Sequence, residues 1–487
     1  MVAARSIVRG IVTVCAVACL AGCERGSRPA PRPTRPPKRP NYVFILVDDM
    51  RWDAMSCAGH PFLRTPNIDR IAEAGVRFAN AFVTTSLCSP SRASYLTGTY
   101  AHRHGVCVND RNDPDPTLAT FPAVLQQAGY ETAYIGKWHM APFDQPRRGF
   151  DYWLSFPGQG VYNDPEFNEN GHTVKTTGYV TDILTEYALK FLNRDRSKPF
   201  CLILSHKAVH GPSIPADRHK DAFAPELLQE PASYGEDLSD KPRWMRELAA
   251  RTGRLRKPAP SGGIPAAIKP EPWDTRVRRN ERRLNWYRTM LAVDESVGAV
   301  LDALAAKRHL SDTVVIFASD NGYFLGEHGN RRGKRLAYEE SIRVPLLACG
   351  PGVRGRGRVV EEMVLNIDVA PTVVDLAGIP VPETMQGRSL VPLLAGKTVR
   401  DWRSSFLYEY FREDFIPAIP TILAVRTDDW KYITCPGVDD IDELYHLTDD
   451  PIEMKNLANS PAYAPRLQQM REELEKLKKD VGYRPCP

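Results

Sequence analysis

Tyr42 to Val47 form an unbroken apolar run, Tyr-Val-Phe-Ile-Leu-Val, that stops abruptly on two acids, Asp48 and Asp49. A strand apolar on both faces has to be covered on both, and that requirement constrains the fold more than any other feature of the chain. Residues 200–205 (Phe-Cys-Leu-Ile-Leu-Ser) and 313–319 (Thr-Val-Val-Ile-Phe-Ala-Ser) repeat the pattern. The first leads to His206 and His210, the second to Asp320 and Asn321. Between these runs apolar residues recur every three to four positions, which predicts helices over 65–82, 178–194 and 285–310. A further helix, closed by Gly129, precedes a short strand that reaches Lys137 and His139. Strands alternating with helices predict an α/β domain built on a mostly parallel central sheet flanked by helices. Open sheets of that kind collect their sites at the carboxyl ends of strands, where all of these polar residues fall.

Composition divides the 487 residues into four segments. Residues 1–22 read as an export leader, with Arg5 and Arg9 ahead of an apolar stretch and a small-residue end. That end, Leu20-Ala21-Gly22-Cys23, is similar to the bacterial lipobox. The likeness implies an exported bacterial lipoprotein, held to a membrane by acyl chains on Cys23, in the periplasm or at the cell surface. Residues 23–40 are a Pro/Arg-rich tether too polar to be buried. Residues 41–395 carry the α/β pattern. From 396 to 487 the rhythm changes to short strands at 404–412, 421–434 and 441–451 and an amphipathic helix over 463–481, a smaller antiparallel subdomain.

The chain carries a formal charge of +5, but Arg25, Arg28, Arg32, Arg35, Lys38 and Arg39 against Glu24 place that excess in the tether. The remainder is slightly acidic, so no nucleic-acid partner is expected. Residues 221–283 show no clear period and are rich in Pro, Arg and Lys. This basic insert fits either a solvated loop or a surface that steers a polyanion. With Cys15, Cys19 and Cys23 set aside, an odd number of cysteines remains, so at least one is unpaired or modified in an exported chain.

Adjacent carboxylates repel unless a cation sits between them. Asp48-Asp49 and Asp320-Asn321 offer only oxygen ligands, which suits a hard divalent ion, Ca²⁺ ahead of Mg²⁺, rather than zinc. Arg92, Lys137, His139, His210 and Lys334 supply cations. A metal ion among several cations describes a site for an anion whose charge shifts in the transition state. Cys88 opens the stretch Cys-Ser-Pro-Ser-Arg-Ala-Ser-Tyr-Leu-Thr-Gly, with Pro90 placed where the first turn of a helix needs no N–H donor. A thiol there could be a nucleophile, a metal ligand or the precursor of something else.

That stretch matches the Cys-x-Pro-Ser-Arg-x-x-x-Leu-Thr-Gly signature, and the chain resembles the type I sulfatases of the alkaline-phosphatase superfamily over nearly its whole length beyond the tether. The resemblance implies that Cys88 is oxidised to Cα-formylglycine by a formylglycine-generating or anaerobic sulfatase-maturating enzyme. It further implies that Asp48, Asp49, Asp320, Asn321 and the modified Cys88 ligate Ca²⁺. Arg92 would orient the formylglycine, and Lys137 with His139 would hold it and the sulfate. His210 would be the leaving-group acid, and Lys334 would reach a sulfate oxygen. The loop Asn330 to Arg332 before Lys334 follows no assignable family pattern. An aldehyde hydrates to a geminal diol, so one hydroxyl can attack sulfur and the other can then expel sulfate and restore the aldehyde. A serine has one hydroxyl and lacks that exit.

Residues 155–171, 178–189 and 334–347 resemble the branch that includes bacterial N-acetylglucosamine-6-sulfatase-like polysaccharide sulfatases. This implies a sulfated carbohydrate substrate, with glucosamine 6-O-sulfate in a glycosaminoglycan or another sulfated polysaccharide as the candidate. One rival is a phosphonate monoester or phosphodiester hydrolase of the same superfamily; against it, Asn321 stands where two-metal relatives tend to carry histidine. A rival of another class is a non-catalytic glycan-binding lipoprotein, against which every catalytic position is filled.

Overall fold

The computed structural model describes residues 39–109, 111–141, 143–223, 228–251, 273–329 and 333–486. The leader, nearly all of the tether with Cys23, and the Asn330–Arg332 loop lie outside the described residues. Asn41–Val47 is the middle of a ten-stranded sheet, with Thr313–Ser319 on one side and Phe200–Ser205 on the other, both parallel to it. Glu131–Gly136 and Tyr152–Ser155 continue the parallel set outward. Beyond Thr313–Ser319 come antiparallel Leu346–Cys349, then Val76–Phe78 and the edge strand Arg358–Val360, and the antiparallel hairpin Glu166–Glu169 with His172–Lys175 forms the far edge. The α/β class with a mostly parallel sheet is as expected.

The apolar run explains itself once the layers are in place. Val43, Ile45 and Val47 face one layer, packed with Ile68 and Ile71 of helix Pro66–Ala74, Val180 and Leu184 of helix Val180–Leu192, and Met290 and Val297 of helix Trp273–Ala306. Tyr42, Phe44 and Leu46 face the other, against Leu96 of helix Cys88–Thr97, Phe121 and Leu125 of helix Phe121–Gln127, and Val373 of helix Val369–Leu376. Each such side chain removed from water contributes roughly 1.5–3 kcal/mol before entropy is counted. A polar residue at any of these positions would leave an unpaired group between layers.

The C-terminal strands Ser405–Tyr410, Ile422–Thr427, Trp430–Thr434 and Glu443–His446 form a separate four-stranded antiparallel sheet. Helix Ala464–Asp480 covers it through Met470 and Leu474. The cluster beneath also takes in Leu87, Leu336 and Ile342, so the small sheet shares its core with the segments that flank Cys88 and Lys334. A disulfide joins Cys107 to Cys486, while Cys88 is free. Among the described residues no helix is long and apolar enough to cross a membrane.

Two expectations are corrected. The helix expected over 65–82 ends at Ala74, and Val76–Phe78 and Ala81–Phe82 are strands. Gly75 makes the break: a Cβ there would lie 2.0 Å from the Ala348 carbonyl oxygen, so the chain passes against the neighbouring strand. The long helix begins at Trp273, inside the supposed aperiodic insert, and Arg243–Arg251 is helical as well. Arg279 and Arg283, within the insert, meet Glu230 at 2.5 and 3.5 Å. These arginines are held by internal partners, which removes them from a polyanion-steering role; residues 252–272 lie outside the described residues.

Backbone bonds carry the sheet into the loops that follow it: Asp48 N–H donates to Ala208 O at 3.0 Å, Asp320 N–H to Val47 O at 3.0 Å and Lys137 N–H to Ser205 O at 2.9 Å. Gly136 makes the last of these possible. Its φ is +118°, and a Cβ would sit 1.8 Å from Ser205 O. Gly136→Ala should therefore destabilise the fold by about 3 kcal/mol and displace Lys137. Thermal unfolding checks it; a variant with unchanged melting temperature would contradict the close approach.

Candidate active site

Cys88 is the first residue of the buried helix Cys88–Thr97. Leu87 before it is extended, and Ser91 N–H donates to Leu87 O at 2.9 Å, the first helical bond. Pro90 therefore lacks a donor only where none is needed. Ser89 N–H is met by Asn109 Oδ1 at 3.0 Å. Gly98 ends the helix with φ +67°. The whole element is buried, so Cys88 and Arg92, one turn apart, have little freedom.

Arg92 ties the strand ends together. Its Nε and Nη2 lie 2.9 and 2.8 Å from Asp320 Oδ2, and its Nη1 donates to Lys137 O and Ser205 Oγ, each at 2.7 Å. Asp48 Oδ1 is 3.5 Å from Cys88 Sγ, and its Oδ2 accepts from Lys137 Nζ. Asp49, in the left-handed region at φ 62°, accepts from Lys334 Nζ and from Asn321 Nδ2 at 2.6 Å. Its own N–H donates to Asp320 Oδ1 at 3.0 Å. Lys334 Nζ stands 2.7 Å and Lys137 Nζ 3.7 Å from Cys88 Sγ.

His210 Nε2 lies 3.8 Å from Asp49 Oδ2, while Nδ1 is 2.7 Å from Gly211 O. A carbonyl only accepts, so the neutral ring carries its proton on Nδ1 and presents Nε2 as an acceptor. His206, four residues earlier, turns away instead. It is fully buried with Nε2 3.3 Å from Ser296 Oγ, and burial pushes its pKa down to about 4.

Every residue named from the sequence as catalytic or metal-binding thus gathers around Cys88. Lys137 and His139 converge, though not by extended alternation: His139 has φ 59°. Gln159 joins them, its Oε1 accepting from Lys137 at 2.5 Å and its Nε2 lying 2.9 Å from His139 Nε2. Sequence reasoning missed Gln159 and Asn109. The only local signal for Gln159 is its place between Gly158 and Gly160, both at positive φ (55° and 63°), a turn that ordinary residues would strain. A cavity of about 570 Å³ opens above the cluster, and Tyr323, Arg335 and Phe415 complete its wall.

The electrostatics follow from burial. Burial, then the charge of Asp48, pushes the Cys88 thiol up to about 12, so as a thiol it is a poor nucleophile. Burial and the Asp48 charge also push Asp320 up to about 6. Burial works against ionising Asp48 too, but Lys137, followed by His210 and Arg92, holds it well below the usual range. Burial lowers His210 to about 4.

Oxygen atoms of Asp48, Asp49 and Asp320 come within 4.8 Å of one another, and Asn321 Oδ1 is buried with no hydrogen-bond partner. Three carboxylates and an unsatisfied amide oxygen fit a hard divalent cation.

A family profile described as Sulfatase matches residues 40–379, and one described as N-sulphoglucosamine sulphohydrolase, C-terminal, matches residues 326–480. The chain belongs to the sulfatase family. This sulfatase is 36% identical to the N-acetylglucosamine-6-O-sulfatase of Bacteroides thetaiotaomicron, over 91% of its own length and 87% of the relative's. It is 30% identical to the human N-acetylglucosamine-6-sulfatase, over 86% and 81% of the two chains. Its fold superposes with a TM-score of 0.82 and 33% identity on a protein solved in complex with its substrate D-glucosamine-2-N,6-O-disulfate, covering 91% of this chain and 98% of that one.

In this sulfatase the segment from Gly322 to Gly329 is pinned by His328. Its Nδ1 lies 3.0 Å from Glu236 and its Nε2 3.7 Å from Glu340, and the ring stacks on Tyr338 at 4.2 Å. Burial opposes its charge, yet Glu236 and Glu340 outweigh burial and push its pKa from 6.5 up to about 10. A raised folded-state pKa contributes stability that is complete below the unfolded value and is lost as pH rises through the folded one. The stability gap between wild type and His328→Gln should therefore be widest below pH 6.5 and narrow toward pH 10, at a slope of order 1 kcal/mol per pH unit. Denaturant unfolding across that range checks it; a gap that widened with pH would reverse the assignment.

Proposed function

We propose that this sulfatase hydrolyses the 6-O-sulfate ester of glucosamine units in a glycosaminoglycan or related polysaccharide, with Ca²⁺ and a formylglycine made from Cys88. The observation that carries the reading is the surroundings of Cys88. Its side chain stands at a helix N-terminus between two lysine ammonium groups and the carboxylate cluster of Asp48, Asp49 and Asp320. The likeness over most of the chain to N-acetylglucosamine-6-sulfatases supports the sugar and the ring position.

Asp48, Asp49, Asp320 and Asn321 are the residues that would hold the cation. When present, the hydrated aldehyde supplies a nucleophilic oxygen and Ca²⁺ supplies positive charge beside it. The chain's own groups do the rest. Arg92 fixes Asp320 and the Lys137 carbonyl, so the nucleophile's helix cannot shift against the strand ends. Lys137 and Lys334 put fixed positive charge where the oxygens of a sulfate carry negative charge, and the helix N-terminus adds its dipole. The alkoxide of a sugar primary alcohol is a poor leaving group and needs a proton. His210, at the mouth of the cavity, is the group placed to give one, and the negative charge of a bound sulfate works against the burial that lowers its pKa.

The direct test is inorganic sulfate released from a panel of defined sulfated glucosamines. Release from 6-O-sulfated members is expected, and none from 2-O- or 3-O-sulfated ones; the reverse selectivity would overturn the substrate. Mass spectrometry of the Cys88 peptide should show aldehyde when the protein is made beside a maturating enzyme. Cys88→Ser should not turn over repeatedly, and a chelator should abolish turnover until Ca²⁺ is restored. Sustained turnover by the serine variant would rule out the formylglycine reading.

We also infer an exported, lipid-anchored protein from the leader and Cys23. In a bacterial host, Cys23→Ala should move the sulfatase from the membrane to the soluble fraction; an unchanged membrane fraction would count against the anchor.

A further inference from the structure

Phe415 is 65% exposed, yet it lines the catalytic cavity together with Asp49, His210 and Lys334. Isolated exposed apolar side chains are common and mean little alone. What sets this one apart is how its neighbours are tied. Glu413, wholly buried, accepts from Arg335 Nε and from the Tyr410 hydroxyl at 3.1 Å. Asp414, on the surface, pairs with Arg111. The Arg335 guanidinium also lies over the Phe415 ring, 5.8 Å from its centroid, within range of a cation–π contact. Arg335 follows Lys334, whose Nζ is 2.7 Å from Cys88 Sγ. The loop that carries the ring is thus anchored at Glu413 to the residue next to Lys334, while most of the ring's surface stays in water. Ordering an apolar ring without burying it gains little in the empty protein and more once a ligand covers it.

A pyranose ring is the ligand such a ring fits. Its hydroxyls lie around the edge, whereas its faces expose C–H groups that an aromatic surface can remove from water. In a 6-O-sulfate the exocyclic carbon separates the ester from the ring. When the sulfate sits at Cys88 the ring is therefore carried outward to the rim, where Phe415 is. We propose that Phe415, from the C-terminal subdomain, is a specificity residue: it is the platform for the apolar face of the substrate's hexosamine ring. The inference rests on the glucosamine 6-sulfate reading above and deepens it.

The test uses the full, converted enzyme on glucosamine 6-sulfate with KM and kcat separated. Phe415→Ala should raise KM by about tenfold and leave kcat within about twofold, since it removes apolar contact and not chemistry. Phe415→Trp, which keeps a flat ring, should stay within about threefold of the wild-type KM. An unchanged KM in the alanine variant, a fall in kcat alone, or a tryptophan variant as poor as alanine would overturn the platform. If the wild type itself released no sulfate from any hexosamine 6-sulfate, the substrate reading would fall first, before any variant was made.

Discussion

Three carboxylates meet where there is almost no water, and the rest of the molecule is arranged to make that tolerable. Buried like charges cost several kcal/mol each unless opposite charge stands close and in the right direction. Asp48 has Lys137, Asp49 has Lys334, and Asp320 has Arg92. Each carboxylate is thereby matched by one cation, so a dication added to the cluster leaves the pocket positive. A pocket of that sign, floored by a helix N-terminus, favours an anion over a neutral ligand. The raised position of Asp320 marks what the pairing leaves undone.

The sheet is what brings these charges to one point. Asn41–Val47 and Thr313–Ser319 run side by side in register from Asn41 opposite Thr313 to Val47 opposite Ser319. Their next residues, Asp48 and Asp320, must then be neighbours. Phe200–Ser205 and Glu131–Gly136 pair with Gly136 opposite Ser205, which places Lys137 beside the same edge. Parallel register turns residues far apart in the chain into one row, and the apolar runs fix the register because both layers demand it.

This is also why so much was legible in the sequence. Asp48, Asp49, Asp320 and Asn321 follow runs whose burial can be read directly, and the segment from Cys88 to Gly98 carries its own signature. What could not be read arrives by tertiary contact. Gln159 matters only because two other segments deliver Lys137 and His139 to it. Asn109 matters because its amide oxygen reaches Ser89 N–H. The opening turns of helix Trp273–Ala306 looked aperiodic because arginines occupy positions that apolar residues usually mark, and Glu230, from another segment, is what lets them pack. The overlong reading of 65–82 failed at Gly75, whose constraint is the backbone of Ala348.

Cys88 has no surface of its own: its relative exposure is 0% in a helix buried along its whole length. The conversion proposed for this thiol would therefore have to take place on an open chain, before the helix and the layers around it close. On that reading editing and folding would compete in time, and a chain that closed early would keep its sulfur.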